Sequence, residues 1–119
     1  MPREFSRSER VASLLQRELA ALLQNYRDYF KLGIVTISAI DVTRDLAVAT
    51  VYVTVLGADG DKLSEQMETL QNAAGFFRKE LGLKLHLRMI PELRFKYDDS
   101  IDNGMRMDRL LKDLDIDES

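Results

Sequence analysis

Six basic residues, Arg78, Lys79, Lys84, Arg88, Arg94 and Lys96, stand between Gly75 and Lys96 against only two acidic ones, Glu80 and Glu92. Lys and Arg contacts to phosphate supply affinity without reading bases, so a face of this sign suits a phosphodiester partner. Arg78, Lys79, Lys84 and Arg88 are the expected contact residues, with Arg7, Arg10 and Arg17 beside them. Any one of these alone reads most simply as a solvated side chain; the clustering is what favours a binding face. Arg94 and Lys96 alternate with Phe95 and Tyr97, so they serve equally well to cover an open sheet face.

The residues that could do bond-making chemistry are few. With no cysteine there is no disulfide, thiolate metal site or thiol nucleophile. The lone His86 lies between Lys84 and Arg88, which disfavour its protonated form and offer no carboxylate to orient it, so it reads as a surface histidine. Asp98, Asp99 and Asp102 are hard-oxygen donors of the kind Mg²⁺ takes. Clustered aspartates ahead of a helix are more commonly turn formers and favourable charge at its N-terminus, and that reading stands ahead of a metal. No glycine pair has the spacing of a phosphate-cradling loop, which argues against an ATP- or NAD-dependent enzyme. No catalytic residue, metal or cofactor is expected.

The 119 residues are 45% hydrophobic and 31% charged with a net charge of -3, a composition that suits one soluble domain with its own core. No run approaches the roughly 18 apolar residues that would suggest a membrane span, and the opening Met-Pro-Arg-Glu-Phe-Ser lacks an apolar signal region. A cytoplasmic protein without a membrane partner is expected, and nothing demands more than a monomer. The acidity is confined to the end. Residues 1–97 hold 14 Lys and Arg against 12 Asp and Glu, whereas residues 98–119 hold 3 against 8.

The elements that must position the basic residues follow from periodicity. Ser6-Arg7-Ser8-Glu9 is a capping box, and Val11, Leu14, Leu15, Leu19, Leu22, Leu23 and Tyr26 recur at helical spacing behind it. Arg7, Arg10 and Arg17 fall toward the polar side. This helix is expected to stop near Tyr29 to Gly33, the glycine providing a left-handed exit. Ile34 to Ile40 and Leu46 to Leu56 read as two strands of an antiparallel hairpin. In the second strand Ala47, Ala49, Val51, Val53 and Val55 form a small apolar face for helix packing, while Thr50 and Tyr52 look outward. Gly57-Ala58-Asp59-Gly60 breaks the strand.

Leu63, Met67, Leu70, Ala74, Phe77 and Leu81 then continue at helical spacing, with Gly75 in the middle, where glycine costs roughly 1 kcal/mol relative to alanine. A kink at Ala73-Ala74-Gly75 explains it in one of two ways. It brings the helix close to a neighbour, or it presents the first amides of the second segment, beside Arg78 and Lys79, to a phosphodiester. Leu83, Leu85, Leu87 and Met89 alternate like a strand, yet Leu81 and Leu85 extend the helical ladder, so helix is expected to about residue 87. Pro91 disfavours helix at Ile90, and Glu92 to Tyr97 is the last strand. Ile101, Met105, Leu110, Leu111 and Leu114 suggest a short helix capped by Ser100, and the final acidic residues look disordered. A right-handed crossover lays the last strand parallel to the second. The result is an α+β fold with a three-stranded mixed sheet and its helices on one face.

Ala73-Ala74-Gly75-Phe76-Phe77-Arg78-Lys79-Glu80-Leu81-Gly82, Leu87-Arg88-Met89-Ile90-Pro91-Glu92-Leu93-Arg94-Phe95 and Tyr97-Asp98-Asp99-Ser100 together resemble the bacterial ribosome-binding factor A family. Ser8-Glu9-Arg10-Val11, the pair Asp45-Leu46 and Val51-Tyr52-Val53, and Gly104-Met105-Arg106-Met107 extend the resemblance over nearly the whole chain. It implies a type II KH-like fold over residues 1–100, followed by a short helix and tail over 101–119. In that family an Ala-x-Gly kink, matched by Ala73-Ala74-Gly75, replaces the Gly-x-x-Gly loop of KH domains that clamp single-stranded RNA. The resemblance further implies a non-enzymatic partner of the small (30S) ribosomal subunit and 16S rRNA. Such a protein assists late maturation of the subunit and of the 16S rRNA 5′ end, matters in cold adaptation, and has a ribosome-associated GTPase linked to its release. Two other classes remain open on the residues alone. One is a protein-binding module that uses the open sheet face, and the other a metal-dependent enzyme built on Asp98, Asp99 and Asp102.

Overall fold

The computed structural model describes residues 6–100, so the expected C-terminal helix and acidic tail, together with Asp102, lie outside the described residues. The capping box opens α1 (Arg7–Asn25): Ser6 Oγ accepts from the Glu9 amide at 3.2 Å, and Glu9 Oε1 accepts from the Ser6 amide at 3.3 Å. The stripe of leucines behind it is the core face, with Leu15, Leu19, Leu22 and Leu23 buried.

The helix stops at Asn25, short of the expected region, and the chain continues in turns closed by Phe30 N to Tyr26 O at 3.1 Å and Leu32 N to Arg27 O at 2.8 Å. The left-handed residue of this exit is Lys31, at φ 55°, and not Gly33. Gly33 has another task. Its amide donates to Gln66 Oε1 at 2.7 Å, and a Cβ there would come within 3.2 Å of Val55 Cγ1. The absent side chain lets this crossing lie against the sheet.

β1 (Val35–Val42) and β2 (Val48–Val55) pair antiparallel, with Val35 opposite Val55 and Val42 opposite Ala49. The period-two pattern is realised in β2: Ala49, Val51, Val53 and Val55 are buried, and Val48, Thr50, Tyr52 and Thr54 are half-exposed on the other face. The strand begins later than expected because the turn reaches through Ala47. Leu46 takes φ 62° and its amide donates to Thr43 O at 2.8 Å. Asp45 Oδ1 accepts from Thr43 Oγ1 at 2.7 Å and from the Ala47 amide at 3.1 Å, so Ala47 belongs to the loop and is exposed.

α2 (Gly60–Asn72) and α3 (Ala74–Leu85) meet at Ala73, which caps both with φ -87° and ψ -1°. α3 ends at Leu85, two residues short of the expected limit, because His86 turns left-handed at φ 51°. Residues 86–91 are therefore an irregular connection, neither helix nor strand. β3 (Glu92–Tyr97) then lies parallel to β2, with Phe95 beside Val51, and the sheet order is β1-β2-β3. All three helices pack on one sheet face. The shared core joins Leu15, Leu19 and Leu22 of α1 to Leu70, Phe77 and Leu81, and these to Val51, Val53 and Leu93. Phe77 has no exposed surface, and truncating a phenylalanine so placed typically costs about 3 to 5 kcal/mol.

Candidate nucleic-acid interface

The basic residues do not form one face. Lys79 and Lys84 are five positions apart on α3, which places them about 140° apart around its axis at 100° per residue. Lys84 sits in the last turn, where a cation complements the C-terminal carbonyls of the helix. Arg78 is turned to the connection that follows: its Nε donates to Ile90 O at 3.0 Å. Ile90 is itself buried, so Arg78 ties the exposed surface of α3 to a fixed point of residues 86–91.

Along α1, Arg7, Arg10 and Arg17 fall within about 80° of one another around the helix axis. Arg10 and Arg17 line a shallow depression with Ser13 and Leu14. Arg7, at the first helical position, turns into a different and more apolar groove of about 440 Å³. There it meets Arg88 from the connection before β3, as well as Arg44 from the β1–β2 turn, a residue the sequence reading passed over. The three arginines are exposed, and Val11, Leu46 and Leu87 between them are half-buried. Asp45 also lines this groove; its Oδ1 accepts from Thr43 Oγ1 and the Ala47 amide, and those bonds hold its pKa below the usual carboxylate value of 3.8, so it offsets one of the three arginine charges. Arg44 had no periodic signal to mark it. Only the turn geometry, with Leu46 left-handed, brings it toward Arg7.

The kink lies at the opposite end of α3. No side chain caps the start of that helix, and the Ala73 carbonyl accepts from the Phe77 amide at 3.1 Å. Nothing lies within 4 Å of where a Cβ on Gly75 would stand, so the glycine does not serve a close internal approach. The next residue, Phe76, lies in a cluster of aromatic rings. Phe76 packs edge-on against Tyr26, with centroids 4.8 Å apart, and against Phe30 at 5.2 Å, while Tyr29 lies nearly parallel to it at 21°. Tyr29 is 75% exposed, and Lys79 stands one turn along α3 from Phe76. Tyr26, Tyr29 and Phe30 stand three and four residues apart in the turns that follow α1, a spacing that marks the cluster in the sequence.

Of the acidic candidates, Asp98 is tied into the fold. Asp98 Oδ1 accepts from the Ser100 amide at 2.9 Å, Oδ2 accepts from Ser38 Oγ, and the Asp98 amide donates to Val53 O at 2.7 Å. Among the described residues no three side chains of metal-binding type come together. Arg94 pairs with Glu92 at 3.3 Å on the exposed face. His86 is exposed at the end of α3 with no carboxylate bonded to it among the described residues.

A family model described as ribosome-binding factor A matches residues 7–111. A protein of that name from Thioalkalivibrio sulfidiphilus is 46% identical over 111 residues, spanning 93% of this chain and 85% of the relative. The crystal structure of ribosome-binding factor A from Thermus thermophilus superposes with a TM-score of 0.65 at 23% identity, covering 76% of this chain and 94% of that one. A homology model of Thermus thermophilus ribosome-binding factor A, fitted into a cryo-electron microscopy map of its complex with the 30S subunit, gives 0.61 at 24% identity, covering 74% and 91%. Both structural likenesses speak to the fold: the same helices over the same mixed sheet.

Proposed function

The chain belongs to the ribosome-binding factor A family, and we propose that it binds the small (30S) ribosomal subunit through 16S rRNA and assists the late maturation of that subunit without bond-making chemistry of its own. The observation that carries this reading is the extent of the family match, residues 7–111, which takes in every element that displays the basic and aromatic surface. The name of the relatives supplies the partner, and the complex described for the Thermus thermophilus protein is of the same kind.

The chemistry of the surface fits such a partner. Arginines at Arg7, Arg10, Arg17 and Arg88, with Lys79 and Lys84, offer phosphate contacts distributed over two ends of α3 and the flank of α1, as contact with folded RNA requires. Arg78 belongs to this surface as the residue that positions the Arg88 connection. The Ala73-Ala74-Gly75 kink provides a second contact point at Gly75, which is exposed next to Phe76 and its neighbour Tyr29. Binding changes an rRNA conformation only by preferring one state, so affinity for the immature subunit exceeds that for the mature one. Promotion of 16S rRNA 5′-end processing then follows from the stabilised conformation. Importance in cold adaptation, release linked to a ribosome-associated GTPase, a cytoplasmic location and action as a monomer without a cofactor complete the reading.

Sedimentation of the purified protein with immature small, mature small and large subunits across a salt series tests it. Preferential binding to the immature small subunit that weakens as salt rises is the expected result. Failure to bind small subunits at low salt overturns it.

A further inference from the structure

We propose that the groove between the start of α1, the β1–β2 turn and the connection before β3 takes one unstacked nucleotide of single-stranded RNA, its base on the apolar floor and its flanking phosphates on Arg7, Arg44 and Arg88. The inference rests on the RNA-binding reading above and names the place and the form of RNA within it.

Charge selects the ligand. Three exposed guanidinium groups line the groove, and its one carboxylate, Asp45, already accepts bonds from Thr43 Oγ1 and the Ala47 amide. The net field inside favours an anion. All three cations are arginines, whose planar groups bind phosphate in a bidentate way and also stack on bases; a site built only for charge has no need of that choice. Shape selects the form. A duplex presents its phosphates outward and leaves no base to enter a recess, whereas an unpaired nucleotide brings a flat apolar face together with its phosphate. Leu46, Leu87 and Met89 provide a floor for that face, and Met89 is 53% exposed, so its side chain is open to a ligand entering the groove.

The site is also held in place before any ligand arrives. Arg44 stands on a turn fixed by the Thr43, Asp45 and Ala47 bonds and closed by Thr43 N to Val48 O at 2.9 Å. Arg88 stands on a connection pinned on one side by the left-handed His86 and on the other by Arg78 Nε on Ile90 O. Arg7 stands on a helix start secured by its capping box. Three separate segments, each with its own anchor, converge on one recess.

The full-length chain and its Arg44→Ala and Met89→Ser variants are titrated with a short labelled single-stranded RNA of mixed sequence and with a duplex of the same sequence. Both side chains are exposed, so thermal melts close to the parent establish that the variants fold. Each substitution is expected to weaken single-strand binding about tenfold, and duplex binding by no more than about twofold. Arg44→Lys should restore only part of the loss, because it returns the charge without the planar group. Equal losses for both RNA forms overturn the proposal, since the groove then contributes charge alone; so does unchanged single-strand binding. A peptide of residues 98–119 that displaces the RNA and depends on Arg44 more strongly than the RNA does also overturns it, by making an acidic segment the occupant. Sedimentation of the same proteins with small subunits separates the two readings. A parent that binds subunits alongside variants with unaltered RNA affinity sinks the groove and leaves the ribosomal function standing. A parent that binds no subunit, with variants that lose single-strand affinity, does the reverse.

Discussion

The side-chain amide of Gln71 is paired with the free edge of β3: its Oε1 accepts from the Phe95 amide at 2.9 Å, and its Nε2 donates to Leu93 O at 3.2 Å. These are the backbone groups that face away from β2, for the alternate positions bond inward, as in Glu92 N to Ala47 O at 2.9 Å. One residue at the end of α2 thus imitates a neighbouring strand at the middle of a six-residue edge. An unpaired edge is a template for other chains, so the pairing protects as well as stabilises.

Gln71→Ala is expected to lower stability by about 1 to 3 kcal/mol, since it leaves a part-buried donor and acceptor without partners. Size-exclusion chromatography on warming should show self-association in the variant before the parent. A melt within error of the parent refutes the first expectation, and a monomer at every temperature the second.

Arg78 donates to Ile90 O through Nε, an atom for which lysine has no equivalent. Arg78→Lys should therefore lose about 1 kcal/mol of stability and behave like Arg78→Ala in RNA binding, because both release the connection that carries Arg88. If lysine restores RNA affinity in full, Arg78 acts as a plain phosphate contact and the positioning role fails.

Most of the fold was legible because period and capping are local properties. The capping box at Ser6 and Glu9, the alternation in β2 and the bounds of β3 at Glu92 and Tyr97 all follow from neighbours in sequence. Two of the misplaced ends share one cause: Leu46 and His86 are non-glycine residues with positive φ, and each delays or stops an element where composition has no glycine to announce it. α1 instead stops at its C-cap Tyr26, whose φ is -103°. The proposed groove was half-legible: counting charges pointed to Arg7 and Arg88, but only the turn around Leu46 brings Arg44 to them. Counting also placed Arg78 among free cations, since a bond to a carbonyl 12 residues away leaves no trace in composition.

Gly75 stands where an alanine would fit, with nothing within 4 Å of its missing Cβ, and the structure requires no positive φ there. Gly75→Ala is expected to stabilise the protein by up to about 0.5 to 1 kcal/mol, the usual difference between the two in a helix. Gly75→Val should fold with a melt near the parent yet bind small subunits more weakly, because its methyl groups fill the opening beside Phe76. A large fall in melting temperature with valine shows instead that the backbone at the kink needs glycine for folding.

Asp98 crosses the outer face of the sheet to accept from Ser38 Oγ, and hydrogen bonds from the Ser100 side chain, from Ser38 and from the Ser100 amide keep its pKa below the ordinary value of 3.8. The sign of the linkage follows from that direction. A carboxyl that ionises more readily when folded contributes stability above its unfolded value and loses it as pH falls through the lower, folded value. Asp98→Ala should therefore lower the melting temperature by a constant amount at neutral pH, and the gap to the parent should close as pH is taken below about 4. Ser38→Ala, which removes one of the donors to Asp98 and no charge, should show the same pH dependence with a smaller gap. A gap that persists unchanged into acid assigns the effect of Asp98 to packing or to the turn at Ser100, and removes the Ser38 bond as the link between β1 and the end of β3.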